Sequence, residues 1–442
     1  MIHIVLEKLK SLKNHQGFIK YFKNISWLFA EKVLKIISEL FLGIWVARYL
    51  GPENFGLLSY SQSYAGLFMV IAPLGLNAII VRELVKDESK RDYLLGTSFV
   101  LQLVGAVFIL LLLFVSIKFI SNDNLTNNLI FIIAFSTIFK SFNVIDFYFQ
   151  SKVLSQFTVY ANILLLLIAS IIKIMLLLNN APLIYFAYIL LFESFVLAVG
   201  FIYFYSKNNI SIFNWKFDKI LAKSLLKDSW PLILSSIVIT IYMKIDQVMI
   251  REMLGNNAVG QYAVAVRLSE AWYFIPMIIA SSLFPAIINA RKISKELYYK
   301  RLQKLYDLMV WIGILIAIPM TFLSNWIVEL LYGNQYNQSG DVLMLHIWTG
   351  VFVFLGVSFS KYLTAENQTK KAFYRALLGA IVNIALNYML IPIYGIYGAA
   401  IATIIGQIFA NYIYDIFDKD LHHQFKMKTM CFFPVHILKG YK

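Results

Sequence analysis

The sequence predicts an all-α integral membrane protein with about twelve transmembrane helices, arranged as two pseudo-symmetric six-helix lobes around a central polar cavity. Three observations predict it: the composition, a series of long apolar runs, and an internal repeat. Of the 442 residues, 60% are hydrophobic and 14% are charged. Soluble globular domains are about 45 to 50% apolar and about 25% charged. The composition therefore excludes an ordinary water-soluble fold.

Apolar runs along the whole chain are long enough to cross a membrane, which takes about 20 helical residues. Leucine runs such as 110–113 and 164–167 do not alternate with polar residues, so the pattern favours helices over the strands of a barrel. Twelve runs are predicted to span: 25–48, 55–81, 93–117, 128–150, 156–178, 183–205, 228–250, 258–288, 306–323, 341–363, 372–392 and 396–417.

The repeat predicts the two lobes. Ser26-Trp27 returns as Ser229-Trp230, and the turn residues Leu50, Gly51 and Gly56 return 204 residues later. Matches in register around paired apolar runs are typical of a duplicated unit. The predicted parts are a basic cytoplasmic N-terminal segment, an N-lobe with the first six spans, a cytoplasmic linker, a C-lobe with the last six and a basic cytoplasmic tail: 1–23, 24–205, 206–227, 228–418 and 419–442.

The basic residues predict the orientation. Most of the 39 Lys and Arg residues, including Arg375 and Lys428, fall in segments on one side of the predicted spans, whereas Arg48, Lys118 and Arg251 lie near the opposite turns. Positive residues concentrate on the cytoplasmic side of membrane proteins, so both termini are predicted to be cytoplasmic. The net charge of +15 is then mainly a topology signal, and nucleic acid is not an expected partner.

Charged residues inside the predicted spans indicate a polar interior. A charge at the bilayer centre costs at least about 2.5 kcal/mol, so such side chains face protein or water. The first span carries Glu31, Lys35 and Glu39, which either form an internal ion-pair set that only holds helices together or line a wet cavity. The fourth span places Lys140 and Asp146 on one polar face.

The seventh and eighth spans repeat this pattern in the second lobe. Lys244 and Asp246 lie in one, and Arg267 and Glu270, three residues apart, lie in the other. The cations predicted to line the cavity and bind an anionic substrate are Lys32, Lys35, Lys140, Lys244 and Arg267. The acids predicted as candidates to carry a coupling H⁺ or Na⁺ are Glu31, Glu39, Asp146, Asp246 and Glu270.

Several other residues carry packing or boundary signals. Pro73, Pro276 and Pro285 predict bent helices, and Lys173 is predicted to snorkel to the membrane surface. In the last two spans, Asn383 and Asn387 lie one turn apart, and small residues there predict close helix packing. These small residues are Gly398, Ala399, Ala402 and Gly406.

Catalytic signatures are missing from the sequence. It has no GxxxxGK[ST] nucleotide loop. Beyond the adjacent pair His422-His423 in the basic tail, its histidines and the single Cys431 form no metal-ligand spacing. Neither a catalytic residue, a metal site nor a cofactor is predicted, and the chain is expected to be a transporter and not an enzyme.

The segment Ala47–Tyr60 resembles the polysaccharide, or O-antigen, flippases of the multidrug/oligosaccharidyl-lipid/polysaccharide exporter superfamily. The resemblance continues at Asp146–Gln150, at Leu331–Gly333 and from Asn387 through Pro392 to Thr403. It implies a two-lobed helical bundle in the bacterial inner membrane. It also implies movement of undecaprenyl-pyrophosphate-linked oligosaccharide, as for O-antigen or lipopolysaccharide, from the cytoplasmic to the periplasmic leaflet. Membrane lipids and other polysaccharide assembly proteins are the implied partners.

Three other functions compete with this interpretation. A cation-coupled exporter of drugs or small molecules, from the same superfamily, needs a cavity with a net negative charge. It is disfavoured because the predicted cavity has an excess of positive residues. A membrane glycan polymerase or ligase is disfavoured because the predicted outside loops are short. A scaffold without transport is disfavoured by the charged residues inside the spans.

Overall fold

A computed structural model of the protein describes residues 16–120 and 123–433, with side chains from Trp27 onward. Within these ranges the chain forms helices and turns, without a strand. The all-α prediction is confirmed. Residues 1–15 of the predicted N-terminal segment and 434–442 of the predicted tail lie outside the described residues.

The helices follow one another with short connections. Their bounds are α1 (Gln16–Met69), α2 (Asn77–Lys86), α3 (Arg91–Ile117), α4 (Asn124–Lys140), α5 (Val144–Ser151), α6 (Gln156–Leu178), α7 (Leu183–Lys207), α8 (Lys219–Leu254), α9 (Asn256–Glu270), α10 (Phe274–Ile293), α11 (Lys295–Tyr332), α12 (Ser339–His346), α13 (Thr349–Ala365), α14 (Thr369–Tyr394), α15 (Ile396–Ile408), α16 (Tyr414–Phe417) and α17 (His422–Cys431). A π-helical turn, Phe409–Ile413, joins α15 to α16.

Ten helical stretches of the described chain are long and apolar enough to cross a membrane. Each matches one of the last ten predicted spans. They are Glu88–Ile117, Asn124–Ser151, Gln156–Leu178, Leu183–Lys207, Lys219–Leu254, Asn256–Ile293, Lys295–Tyr332, Ser339–Ala365, Thr369–Tyr394 and Ile396–Phe417. The first predicted span, 25–48, falls within α1, which turns sharply at Gly51 (φ 69°, ψ 168°).

The second predicted span is interrupted. We predict one bent helix over 55–81, but α1 ends at Met69 and α2 begins only at Asn77. Pro73 lies in the intervening turn, where Leu74 and Gly75 both have positive φ angles, 52° and 62°. The prediction of one continuous helix was wrong because the turn is as apolar as the helices beside it, so hydropathy does not reveal it.

The chain divides into two compact units. Unit 1 contains the chain up to Val46 and Phe68–Ile233, and unit 2 contains Ala47–Leu67 and the chain from Leu234. The helix α1 therefore contributes to both units.

An apolar core in unit 1 contains residues of α2, α3, α5 and α7, and the basic linker packs against it through Ile212 and Trp215. The linker backbone at Lys216 donates a hydrogen bond to the carbonyl of Asp92 (N to O, 3.0 Å). Gly96 permits this approach, because a Cβ there would lie 2.6 Å from the Lys216 backbone. Asp218 then begins α8 by accepting a hydrogen bond from the Leu221 amide at 2.7 Å, as N-terminal caps do.

Lys173 of unit 1 is not a surface lysine. Its Nζ lies 2.6 Å from Oε1 of Glu193 on the neighbouring helix α7, and both side chains are largely buried. The prediction of snorkelling was wrong because the partner, twenty residues away in sequence, is brought close only by the packing of α6 on α7.

Unit 2 contains a tight crossing between the repeated elements. A Cβ on Gly56 would overlap the carbonyl oxygen of Asn256, and a Cβ on Gly260 would overlap that of Pro52. Each glycine thus lets its helix backbone touch the backbone of the other helix, as small residues do in membrane helix pairs. The two positions are those matched by the repeat.

A second matched pair sits in the turns before these glycines. Gly51 and Gly255 have φ angles of 69° and 88° with nearly extended ψ, a combination available almost only to glycine. We expect Gly255→Ala to destabilise the protein by about 1 to 3 kcal/mol, measured as a lower melting temperature in detergent. No atom lies within 4 Å of the new Cβ, so the loss is purely conformational.

The matched control is Gly66→Ala, which also meets no atom within 4 Å but lies inside a helix with ordinary dihedral angles. Equal melting temperatures for the two variants would contradict the assignment of strain to Gly255.

Candidate functional site

The predicted site residues of unit 1 gather in one group of charged side chains. The Glu31 carboxylate interacts electrostatically with Lys35, Lys32, Glu39 and Asp146. Lys140 interacts with Glu193 and with Lys35. The structure thus brings together all six predicted residues that belong to this unit.

The ion-pair alternative accounts for only part of this group. Lys35 Nζ lies 3.9 Å from Glu39 Oε1, and the two side chains are 47% and 60% exposed. Asp146 accepts hydrogen bonds from Thr158 Oγ1 (2.5 Å) and Gln150 Nε2 (2.7 Å). Lys32 and Lys140 are exposed. Exposed lysines within a predicted membrane span need water or a charged ligand around them.

The predicted site residues of unit 2 form a second group. Glu270 interacts electrostatically with Lys244, Asp246 and Arg267. The guanidinium of Arg267 lies over the ring of Phe55, 4.6 Å from its centroid, in a cation–π contact. Of these four predicted residues, Asp246 is the buried one.

Asp246 is buried, with 5% of its surface exposed, and both of its carboxylate oxygens accept hydrogen bonds. Its Oδ1 accepts a hydrogen bond from Asn387 Nδ2 at 2.6 Å. Its Oδ2 accepts hydrogen bonds from Tyr262 OH at 2.9 Å and Thr403 Oγ1 at 2.5 Å. A buried carboxylate without such donors is strongly unfavourable. We call Asp246, Tyr262, Asn383, Asn387 and Thr403 the Asp246 site.

Four helices build the Asp246 site. Asp246 comes from α8, Tyr262 from α9, the two asparagines from α14 and Thr403 from α15. The asparagines are one turn apart, and Asn387 Nδ2 also donates to Asn383 Oδ1 at 3.1 Å. Gly406 brings α15 against α14, because a Cβ there would lie 3.0 Å from Asn383 Cβ. The predicted close packing of the small residues is confirmed at this contact.

The oxygen atoms of the Asp246 site suit a hard monovalent cation or a proton. Carboxylate, amide and hydroxyl oxygens are the ligands that hard cations prefer. Asn387 Oδ1 is buried without a hydrogen-bond partner. Thr403 Oγ1 lies within hydrogen-bond distance of both Asp246 Oδ2 and the carbonyl of Ala399 (2.9 Å). Because its single hydrogen can turn to Ala399, the hydroxyl can offer lone pairs to a cation.

A cavity of about 300 Å³ inside unit 2 adjoins the Asp246 site. Asp246 and Glu270 line it, together with His346, Arg375 and Asn411. The Nδ1 of His346 and the hydroxyl of Tyr242 are buried there without a hydrogen-bond partner. A cavity of this size has room for several water molecules, which its polar side chains can bind.

Sequence reasoning missed several of these residues. In the sequence, Asn383 and Asn387 stand out only as two polar residues one turn apart, and Thr403 only as the end of a segment that resembles the flippases. Arg375 is only one of the basic residues that predict the orientation. Arg375 is instead buried, 9% exposed, and donates to Asn411 Oδ1 at 2.8 Å. The detectable signal was the pair of asparagines one turn apart in an apolar span. In the described part of the chain, no cluster of three or more His, Cys, Asp or Glu side chains could hold a metal.

Comparison with known proteins identifies the family. The model of a family described as "Polysaccharide biosynthesis protein" matches residues 21–291, more than half of the chain. The model of the MatE family matches residues 231–389.

Individual relatives agree with this assignment. The chain is 19% identical to "Capsular polysaccharide biosynthesis protein CapF" of Staphylococcus aureus, over 90% of this chain and 99% of the relative. It is 21% identical to a "Putative O-antigen transporter" of Shigella dysenteriae, over 87% of this chain and 97% of the relative.

A solved structure shows the same fold. "Lipid II flippase MurJ, inward closed conformation" superimposes with a TM-score of 0.70 at 17% identity, over 92% of this chain and 91% of the other. Among the relatives, one is named a putative O-antigen transporter and another a probable lipid II flippase. The chain therefore belongs to the polysaccharide biosynthesis protein family and is a multi-pass membrane transporter with the fold of the multidrug/oligosaccharidyl-lipid/polysaccharide exporter superfamily.

Proposed function

We propose that this protein moves undecaprenyl-pyrophosphate-linked oligosaccharide repeat units, such as those of O-antigen or another surface polysaccharide, from the cytoplasmic to the periplasmic leaflet. The membrane is the bacterial inner membrane, both termini are cytoplasmic, and the transport follows an alternating-access cycle. Family membership and the names of the relatives support a lipid-linked saccharide as the substrate class. Other polysaccharide assembly proteins are proposed partners.

The observation that carries the proposal is the group of exposed lysines in unit 1. Lys35 and Lys140 interact as like charges, and each also has an acid near it, Glu39 for Lys35 and Glu193 for Lys140. The exposed ammonium groups, gathered in one group, suit a ligand with several negative charges, and a pyrophosphate is such a ligand. We propose that Lys32, Lys35 and Lys140, with Lys244 and Arg267 of unit 2, bind the pyrophosphate during transport.

Substitution of the unit 1 lysines tests this role. We expect Lys35→Gln and Lys140→Gln each to abolish display of the surface glycan while the protein stays in the membrane at its normal level, because each removes one cation from the anion site. Glycan display on whole cells and immunoblots of membranes measure the two quantities. Lys223→Gln, an exposed lysine of the basic linker, is the control and should change neither. Normal display in both variants would contradict the lysine site.

Deletion of the gene tests the transport step itself. A flippase deletion leaves finished repeat units on their lipid carrier in the inner leaflet. Unpolymerised units displayed in the outer leaflet would instead indicate a polymerase and would overturn the proposal. The leaflet is assigned by the access of a membrane-impermeant glycosidase to the lipid-linked glycans of spheroplasts and of inverted vesicles.

The match of the MatE family model to residues 231–389 favours a second candidate, a cation-coupled exporter of drugs or other small molecules. Its deletion strain would become sensitive to cationic dyes with unchanged surface glycan. The flippase proposal expects the deletion strain to lose its surface glycan and to keep its normal sensitivity to cationic dyes.

We further propose that transport is driven by H⁺ or Na⁺ and that Asp246 carries the coupling ion. Five acids were predicted for this role: Glu31, Glu39, Asp146, Asp246 and Glu270. Asp246 is the one with the buried carboxylate and a surrounding set of amide and hydroxyl oxygens. Carboxylates of this kind inside a membrane are typical of ion pathways.

A further inference from the structure

Lys428 of α17 is a buried lysine in a helix that follows the last apolar span. The sequence assigns it to the basic tail, yet both its side chain and that of Asp415 are 0% exposed. Its Nζ lies 2.7 Å from Asp415 Oδ2 and 3.2 Å from the centroid of the Phe359 ring. A fully buried ion pair is poor evidence for added stability, so another role has to be considered for it.

The third contact of Lys428 is with the π-helical turn Phe409–Ile413. The Nζ donates a hydrogen bond to the main-chain carbonyl of Asn411 at 2.9 Å. The α-helical hydrogen-bond pattern is interrupted in a π-helical turn, and such turns occur frequently at functional sites. Lys428 therefore supplies a donor to a carbonyl at the point where this helix is irregular.

The side chain of Asn411 links the π-helical turn to Arg375. Its Oδ1 accepts a hydrogen bond from Arg375 Nη1 at 2.8 Å, and its Nδ2 donates to Gln407 Oε1 at 2.6 Å. Its place is fixed by Gly356, where any Cβ would overlap the Asn411 amide. Arg375 also donates to Ser360 Oγ at 2.6 Å.

Arg375 and Asn411 line the cavity that adjoins the Asp246 site. Arg375 lies on α14, the helix that carries Asn383 and Asn387, and Asn411 directly follows α15, which carries Thr403. A change in the position of Asn411 therefore reaches two of the four helices that build the Asp246 site.

The helix α17 is docked on unit 2 by further contacts. Tyr306 OH donates to Gln424 Oε1 at 2.8 Å, and Gln303 Nε2 donates to the carbonyl of Met427 at 3.0 Å. Both partners lie on α11, so Lys428 is presented to Asn411 from a helix held by a third element.

We propose that α17 is a latch, and that Lys428 is a positioning residue that sets the π-helical turn, and through Asn411 and Arg375 the geometry of the Asp246 site. The latch is a property of unit 2, and only its effect on transport rests on the proposed function.

Lys428 both neutralises Asp415 and donates a hydrogen bond to Asn411, and the test has to distinguish these two roles. Burial lowers the pKa of Lys428 to about 7, and Asp415 is the main group that opposes this shift. Lys428→Met alone strands a buried carboxylate and can fail to fold. The double variant Asp415→Asn/Lys428→Met removes both charges and also the donor to Asn411. Lys426→Met, an exposed lysine of the same helix, is the matched control.

We expect the double variant to melt within a few degrees of the wild type, to exchange the amide hydrogens of residues 405–417 about tenfold faster in hydrogen–deuterium exchange, and to transport about tenfold more slowly. Lys426→Met should match the wild type in all three. Wild-type exchange in a folded double variant overturns the latch, and faster exchange with wild-type transport overturns the positioning role.

If the double variant does not fold, hydrogen–deuterium exchange of the wild type tests whether α17 is held in place. The latch requires the amides of α17 to exchange as slowly as those of α15, and exchange of α17 within seconds overturns it. These exchange results do not depend on the substrate. A wild-type protein that transports no lipid-linked glycan therefore counts against the proposed function and leaves the latch to be judged by exchange alone.

Discussion

Asp246→Asn is expected to slow transport at least tenfold while the protein still folds. The carboxylate accepts from three donors, Asn387, Tyr262 and Thr403. An asparagine amide places its own NH₂ group against at least one of these donors and has no charge to hold H⁺ or Na⁺. The measurement is the transfer rate of lipid-linked glycan in proteoliposomes, under an imposed Na⁺ gradient and under an imposed proton gradient.

Asp228→Asn is the control for this experiment. Asp228 lies on the same helix α8, but its side chain is 51% exposed. The substitution removes an ion pair in which Arg82 Nη2 lies 3.5 Å from Asp228 Oδ2. We expect a rate close to the wild type, because exposed ion pairs contribute little. If Asp246→Asn keeps both the rate and its dependence on the gradient, the coupling ion binds elsewhere.

Gly56→Ala is expected to destabilise the protein by about 1 to 3 kcal/mol, the usual effect of overpacking. The new Cβ overlaps the main-chain carbonyl of Asn256, and a backbone atom cannot move aside without its helix. Melting in detergent measures the loss. Gly66→Ala on the same helix meets no atom within 4 Å and should change stability by less than about 1 kcal/mol, in the stabilising direction.

The reciprocal variant Gly260→Ala allows a double-mutant cycle. Its Cβ overlaps the carbonyl of Pro52 in the same crossing. Once the first methyl group separates the helices, the second has less to displace, so the double variant should lose less than the sum of the two single losses. Strict additivity would show that the two contacts are independent.

The membrane fold could be predicted because lipid leaves the chain few options. Spanning segments must be apolar and must satisfy their backbone hydrogen bonds internally, so hydropathy located all ten spans found by length and composition. The glycine pairs of the repeat, Gly51 with Gly255 and Gly56 with Gly260, were also visible, because they recur at one offset. Their structural roles, positive φ and close crossing, explain why glycine is needed there.

The turn between α1 and α2 could not be predicted in this way. Pro73 and Gly75 lie in an apolar context, and a proline inside an apolar run is equally compatible with a bent helix. The break depends on how Gly75 packs, since a Cβ there would lie 2.9 Å from Leu232 Cβ, a residue more than 150 positions away.

The charged residues were predicted with unequal success. Every predicted site residue falls in one of the two groups, because a charge inside a span is informative by itself. Whether the two groups line one shared cavity stays a prediction. Arg375 and Lys428 were classed with the topology signals, because their burial depends on partners, Asn411 and Asp415, that only the folded chain brings near. The same holds for Thr403, whose hydroxyl gains meaning only beside Asp246.

The most direct test of the transport claim uses purified protein in proteoliposomes that contain undecaprenyl-pyrophosphate-linked oligosaccharide labelled on its sugar. A membrane-impermeant glycosidase added outside first removes the outer-leaflet label. We predict that the protected label then becomes accessible over time with the wild type and remains protected with the Lys35→Gln/Lys140→Gln variant. Equal protection with wild-type protein and with empty liposomes would contradict it.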